Sequence, residues 1–192
     1  MSAASPSWPK LPSQSICLIR HGQTTANRDS IIAGRLDVAL TDLGRQQARA
    51  LRGHPWRGAI ALFTSPLERA QQTCQLGFPD QEFHCHPGLR ERDWGQFEGA
   101  PLAELPPRAG RPEGGEDWSE MIIRVAEAIT ACCAQAQAQA QGRLPVLVCH
   151  SGVIRATRLL AGQHSTGARA PNAHPISFVW VNDSHKEVAH AL

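Results

Sequence analysis

Four stretches of the chain are apolar at nearly every position, and three of them stop abruptly at polar chemistry. Ile16-Cys17-Leu18-Ile19 ends in Arg20-His21-Gly22. Ala59-Ile60-Ala61-Leu62-Phe63 ends in Thr64-Ser65-Pro66, and Val146-Leu147-Val148-Cys149 ends in His150-Ser151-Gly152. Short unbroken apolar runs predict strands buried on both faces. Gly22 is expected to let the backbone turn sharply after the first strand. The fourth stretch, Ile176 to Val181, alternates enough to predict an edge or half-exposed strand.

Between the strands the apolar positions recur with a helical period. Thr41 predicts the N-cap of a helix running to about Arg52, with Leu43, Ala50 and Leu51 inward and Gly53-His54-Pro55 as its stop. Ser65 predicts a second cap and Pro66 a first helical position, for a helix from Leu67 to about Leu76 with Leu67, Ala70 and Cys74 on one face. The longest helix opens after Gly114-Gly115-Glu116-Asp117 and carries an apolar stripe of Trp118, Ile122, Val125, Ile129 and Cys132. The Ala-Gln alternation from Ala134 to Gln141 predicts its solvated end, and Gly142 its stop. A last helix is expected from Val153 to Ala161. Residues 82 to 115 lack such a period and are broken by proline and glycine. They predict an irregular excursion over the sheet, residues 84–116, anchored by Trp94 and Phe97. A short strand is expected near Glu82–His84 and a short helix near Pro101–Leu105.

Alternating strands and helices predict an α/β domain over residues 15–192. Its expected form is a three-layer α/β/α sandwich with a largely parallel central sheet. Residues 1–14 have three prolines and no apolar segment of signal-peptide type. They predict a disordered leader. A chain of 192 residues is long enough for one sizeable core. A net charge of +2 without blocks of like charge gives no support for a nucleic-acid or membrane-surface partner. No apolar run approaches the ~20 residues of a membrane span. Six cysteines without a CxxC pair predict reduced thiols and a cytoplasmic protein. His84-Cys85-His86 lacks a further ligand at finger-like spacing, so a loop is expected there rather than a metal site.

If the three strands are parallel, their ends meet at one edge of the sheet, where open α/β sheets bind ligands. Arg20, His21, Arg69 and His150 then face one crevice. Such a cluster would repel itself unless it surrounded a multiply charged anion. Phosphate suits it, because a guanidinium offers paired donors that match phosphate oxygens. Helix N-termini behind Ser65 and Gly152 would add backbone N–H groups.

The same residues carry a resemblance. Leu18-Ile19-Arg20-His21-Gly22-Gln23-Thr24, with Asn27 six residues after His21, resembles the signature of the histidine phosphatase superfamily, the phosphoglycerate-mutase-like proteins. The likeness continues, in order, through residues 34–44 (GRLDVALTDLG), 65–73 (SPLERAQQT), 89–99 (LRERDWGQFEG) and 150–155 (HSGVIR). It implies the fold of that superfamily and a reaction without metal or cofactor on a phosphorylated small molecule. It implies that His21 is the nucleophile and becomes a phosphohistidine. It further implies that Arg20, Arg69 and His150 bind the phosphoryl group and stabilise transition-state charge, with Asn27, Gly34 and Ser151 as further substrate contacts. Glu91 aligns with the acid/base carboxylate; Asp93 and Glu98 are neighbouring carboxylates that the residues alone do not separate from it. Ser151 stands where many relatives have glycine. Ala33 stands where a hydroxyl residue often precedes the glycine matched by Gly34.

Glycolytic mutases of the superfamily carry extra basic residues after the acid/base glutamate. Here residues 99–116 hold only Arg108 and Arg111. That shortage favours a phosphatase of the small branch that includes broad-specificity and α-ribazole phosphatases. A mutase is the second reading, and a non-catalytic phospho-ligand module the third. The substrate, the oligomeric state and any part for His164 or His174 are left open by the sequence.

Overall fold

The computed structural model describes residues 7–139, 142–163 and 168–189. Six strands form one sheet: β1 (Ile16–Arg20), β2 (Ile60–Thr64), β3 (Phe83–Cys85), β4 (Leu144–Cys149), β5 (Pro175–Val181) and β6 (Ser184–Ala189), in the order β3-β2-β4-β1-β5-β6. The first four in that order are parallel, and β5 and β6 join antiparallel. The register pairs Arg20 with Cys149 and Thr64 with Val148, so the C-terminal ends of β1, β2 and β4 lie level. Ladder bonds run one residue beyond the strands: His21 N–H donates to Cys149 O at 3.0 Å and Ser65 N–H to Val148 O at 2.9 Å. The three polar strand ends are thus brought together.

Among the described residues there are five α-helices: α1 (Thr25–Arg28), α2 (Asp42–Ala50), α3 (Glu68–Gly77), α4 (Trp118–Ala138) and α5 (Ser151–Leu160). Alternate strand residues face opposite layers. Leu18, Phe63 and Leu147 pack with Ile122, Val125, Ile129 and Val153 of α4 and α5. Cys17, Ile19, Leu62 and Val148 pack with Leu51 and with Ala70 and Cys74 of α3. This is the expected three-layer sandwich. Among the described residues no helix is long and apolar enough to cross a membrane.

Several elements differ from expectation. β5 is an interior strand, because β6 covers its outer side. The polar sequence of β6 hid it from a hydrophobic-period reading, as polar edge strands do. Its signal is the Asn182-Asp183 turn, where both residues have positive φ (49° and 56°), the backbone of a type I′ hairpin. Thr41 caps α2 as expected, its side chain accepting from Gly44 N. The inner face of α2, however, is Gly44 and Ala48, while Leu43 is 48 % exposed and Ala50 is exposed. A Cβ on Gly44 would lie 2.0 Å from Gln23 O, and one on Gly22 2.4 Å from Gly44 O. The helix therefore packs backbone to backbone on the segment after β1, leaving no space for leucine. Gly22 is needed for this close approach and not for a turn at positive φ.

Ser65 is not a helix cap: α3 starts at Glu68 with Leu67 as its N-cap. α5 begins two residues earlier than expected, with His150 as its N-cap. The short strand expected near Glu82–His84 is β3, and it runs on through Cys85, so His84 and Cys85 are strand residues and not loop. The leader expected over residues 1–14 is structured from residue 7. Leu11 is 7 % exposed within the core, and Trp8 packs against it. Residues 1–6, the end of the Ala-Gln tract and His164 lie outside the described residues.

The excursion holds short 3₁₀ turns, including Leu102–Glu104, and is braced from within by Arg92. Its side chain is 1 % exposed. It donates to three backbone carbonyls, Glu116 O at 3.0 Å, Arg108 O at 3.0 Å and Gly110 O at 2.6 Å. Its guanidinium lies 4.3 Å from the centroid of the buried Trp94 ring. Arg92→Ala would leave three carbonyls without their donor, one of them in a buried bond, and a cavity, and is expected to cost about 2–4 kcal/mol, read from the denaturant midpoint. Arg92→Lys is expected to recover less than half of that, because an ammonium cannot reproduce the fork of donors.

Candidate active site

The level ends of β1, β2 and β4 form the floor of a cavity of about 240 Å³. Of the residues singled out by sequence, Arg20, His21, Asn27, Gly34, Arg69, Glu91 and Ser151 line it. His150 does not reach the wall. It is fully buried behind it, with its ring centroid 5.1 Å from that of His21.

The His21 ring is oriented by its own neighbour. Nδ1 donates to Gly22 O at 2.7 Å, which puts the proton on Nδ1 and leaves the Nε2 lone pair open. Burial, and after it the charges of Arg69 and Arg20, holds the imidazole well below its usual pKa of 6.5. The ring is therefore neutral at physiological pH. His150 is shifted the same way by burial, Arg69 and His21. Its Nε2 meets Ser65 Oγ at 2.7 Å. Ser65 Oγ also accepts from Leu67 N–H at 3.2 Å, so its own proton is free to go to His150 Nε2. That assigns the His150 proton to Nδ1. Among the described residues Nδ1 is buried without a protein partner, as are Arg20 Nε and Arg69 Nε. Three buried donors without a protein partner, on residues gathered at the ends of β1, β2 and β4, suit an oxyanion.

The two arginines of the floor are held by backbone carbonyls. Arg20 Nη1 donates to Ala170 O at 2.9 Å. Arg69 donates to Gly34 O at 2.6 Å and Leu36 O at 2.7 Å. Gly34, at φ 49°, thereby serves the site through its carbonyl. Burial brings the Arg20 guanidinium down to about 10 and lowers that of Arg69, and both stay charged at neutral pH. Glu91 hangs over the floor, its carboxylate accepting from Arg92 N–H at 2.9 Å and from Gly152 N–H at 3.1 Å in the first turn of α5. The two neighbouring carboxylates have structural partners instead. Asp93 pairs with Arg35 at 3.0 Å, and Glu98 accepts from Arg35 N–H and Trp94 N–H. Neither lines the cavity.

Three residues that the sequence reading did not single out belong to this region, with a fourth that it expected only as a helix cap. Asn172 Nδ2 donates to His21 O at 2.8 Å and to Asn27 Oδ1 at 3.2 Å. Asn27 Oδ1 also accepts from Thr24 N–H at 3.2 Å, so the Asn27 oxygen is occupied and its amide nitrogen is left for the cavity. Arg155 and Arg169 line the cavity beside Arg108. The signal for Arg155 is its place one helical turn after Ser151, on the same face of α5. Asn172 and Arg169 lie in the irregular segment before β5 and carry no local signal. Ser65 is the fourth, through its contact with His150.

Two neutral buried histidines make stability depend on pH. Below pH 6.5 the unfolded chain binds protons that the folded chain refuses, so stability falls as pH falls through that value. The loss is expected to reach about 1.4 kcal/mol per pH unit for each histidine. Urea midpoints measured between about pH 7.5 and 5.5 check this. His150→Asn should flatten the slope, and an unchanged slope would contradict the assignment.

Known proteins resemble this chain. The histidine phosphatase superfamily (branch 1) matches residues 16–189. A metal-independent phosphoserine phosphatase of Arabidopsis thaliana is 29 % identical over 200 residues, covering 91 % of this chain and 82 % of that protein. A 2,3-bisphosphoglycerate-dependent phosphoglycerate mutase of Methylocella silvestris is 32 % identical over 131 residues, 57 % of this chain and 64 % of the mutase. Among solved structures, a phosphoglycerate mutase of Thermus thermophilus superposes with a TM-score of 0.71 at 29 % identity, covering 93 % of this chain and 99 % of that one. An Escherichia coli protein assigned as an α-ribazole-5'-P phosphatase has a TM-score of 0.78 at 23 % identity, covering 93 % of this chain and 96 % of that one, a likeness of fold alone. With the match running from β1 to β6, this chain belongs to the histidine phosphatase superfamily, branch 1.

Proposed function

We propose that this protein is a metal-independent phosphomonoester hydrolase that works through a phosphohistidine on His21. The observation that carries the reading is the His21 ring itself. It is neutral, its Nδ1 proton is held by Gly22 O, and its Nε2 is free beside two guanidiniums that are docked on backbone carbonyls rather than on carboxylates.

In the first step Nε2 attacks phosphorus and the bond from phosphorus to the ester oxygen breaks. Arg20 and Arg69 stabilise the charge spread over the equatorial oxygens, with His150 Nδ1–H behind them. Asn27 adds an amide donor, and Ser151 a hydroxyl at the start of α5. Glu91 delivers a proton to the leaving alcohol oxygen. In the second step Glu91 takes a proton from water, the water oxygen attacks phosphorus, and the bond from phosphorus to nitrogen breaks. Inorganic phosphate leaves and His21 is restored. The arginines supply the positive charge that a metal provides in other phosphatases. Among the described residues no group of three or more His, Cys, Asp or Glu is placed to hold a metal ion. The Arabidopsis relative is likewise named as metal-independent.

A mutase is the second reading. Arg155 and Arg169 favour it, because they add cations that the short 99–116 segment lacks and could retain a phosphorylated product. Phosphate release from simple monoesters, measured against interconversion of 3- and 2-phosphoglycerate, separates the two. Release is expected to dominate; rapid interconversion without release would overturn the hydrolase. His21→Ala is expected to lower turnover by about four orders of magnitude and to abolish acid-labile labelling by radioactive phosphate. A chelator should leave the wild-type rate within twofold. Loss of all turnover with chelator, restored by a divalent ion, would refute the mechanism. Asn172→Ala is expected to raise KM about tenfold with a smaller change in kcat, since the Asn27 amide loses its fixed orientation. A purely structural role for Asn172 would instead shift the thermal midpoint and leave KM unchanged.

A further inference from the structure

Glu91 must reach a leaving oxygen from a stretch of chain without regular structure. It follows the 3₁₀ turn Pro87–Leu89 and precedes Arg92, with no strand or helix of its own. Its carboxylate nevertheless holds one place over the floor, accepting from Arg92 N–H at 2.9 Å and Gly152 N–H at 3.1 Å. The fit is close, since a Cβ on Gly152 would lie 2.1 Å from Glu91 Oε1. Another part of the molecule must supply the rigidity.

That part is an ion pair outside the cavity. Glu116 lies two residues before α4 and Arg124 within it. Their side chains are 9 % and 14 % exposed. Arg124 Nε and Nη2 each donate to one Glu116 carboxylate oxygen at 2.7 Å. The remaining Nη1 donates to Gly88 O at 2.7 Å and to Arg90 O at 3.1 Å. Glu116 in turn accepts from Arg90 Nη2 at 3.3 Å through its carboxylate and from Arg92 Nε at 3.0 Å through its carbonyl. Its N–H donates to Asp93 O at 2.9 Å. Residues 88, 90, 92 and 93 are thus tied to the pair, and Glu91 is the residue they enclose. A buried ion pair is a poor way to gain stability, because apolar side chains would fill the same space without the cost of desolvation. Apolar packing cannot aim a fork of donors at the carbonyls of an irregular segment.

We infer that Glu116 and Arg124 are positioning residues for proton transfer, holding the backbone on both sides of Glu91 so that its carboxyl group meets the ester oxygen. The inference rests on the hydrolase reading. There Glu91 gives its proton to the leaving alcohol as the bond from phosphorus to that oxygen breaks and His21 Nε2 bonds to phosphorus. Neither Glu116 nor Arg124 lines the cavity, so both act through Glu91.

Two variants and two esters test it. Arg124→Lys keeps a charge beside Glu116, but one ammonium cannot span the carboxylate and both carbonyls. Glu116→Met combined with Arg124→Met removes the pair without stranding a buried charge. Propyl phosphate needs a proton on its leaving oxygen; 4-nitrophenyl phosphate does not, because nitrophenolate departs unaided. The ratio kcat/KM covers the steps up to departure of the alcohol. Both variants are expected to lower it about 10- to 100-fold for propyl phosphate and less than about threefold for 4-nitrophenyl phosphate. An equal fall on both esters, the result of a general loosening of the site, would overturn the inference. Gly152 N–H lies in the first turn of α5 and has no acceptor within its helix, so its hydrogen exchange reports the bond to Glu91. That exchange is expected to quicken at least about tenfold in both variants relative to Ile154 N–H, which donates to His150 O. An unchanged ratio would overturn the inference. Faster exchange at Gly152 with no hydrolysis of either ester by the wild type would refute the hydrolase and leave the positioning standing.

Discussion

Everything in the site depends on keeping guanidinium charge in place without cancelling it. A carboxylate would be the stronger partner for a buried arginine, but it would neutralise the group that must meet phosphate. Here the floor arginines are docked on backbone carbonyls: Arg20 on Ala170 O, Arg69 on Gly34 O and Leu36 O. Carbonyl dipoles fix direction and leave net charge. Glu116 shows the contrast. It takes Arg124 at 2.7 Å and Arg90 at 3.3 Å, outside the cavity, where neutralisation costs the chemistry nothing.

The same charge explains the histidines. Two imidazoles with ring centroids 5.1 Å apart beside two arginines cannot both be protonated. Burial and the guanidiniums keep them neutral, and the neutral form is the one with a nucleophilic nitrogen. The surroundings then choose which nitrogen. Gly22 O claims the Nδ1 proton of His21, and Ser65 Oγ directs the His150 proton to Nδ1. A residue expected to cap a helix is thus a tautomer-setting contact. Gly22 and Gly44 serve the same end mechanically, since their backbones touch and hold the segment after β1 against α2.

The candidate site was largely legible in the sequence because most of its chemistry sits next to apolar strands. Arg20-His21 and His150-Ser151 are read directly as strand endings, and parallel pairing brings them level. The choice among Glu91, Asp93 and Glu98 was not legible from residue type or spacing. All three lie within eight residues of one irregular segment. Contacts separate them: Asp93 and Glu98 hold the 34–35 turn and the Trp94 segment, while Glu91 lines the cavity. The shortage of cations read from residues 99–116 was a statement about one segment. The folded cavity draws Arg155 and Arg169 from elsewhere.

By itself the sequence determined the alternation of strands and helices, the parallel arrangement of β1, β2 and β4, and the gathering of Arg20, His21, Arg69 and His150. Unbroken apolar runs and the polar residues that end them are local signals, and in β1, β2 and β4 folding kept them. Only the tertiary structure decided what depends on atoms distant in sequence: the inner face of α2, the covering of β5 by a polar β6, the packing of Leu11 on the core, and the meeting of Asn172 with His21 and Asn27. In each of these, close packing or hydrogen bonding between separate segments outweighed local preference, and no window of neighbouring residues contains that information.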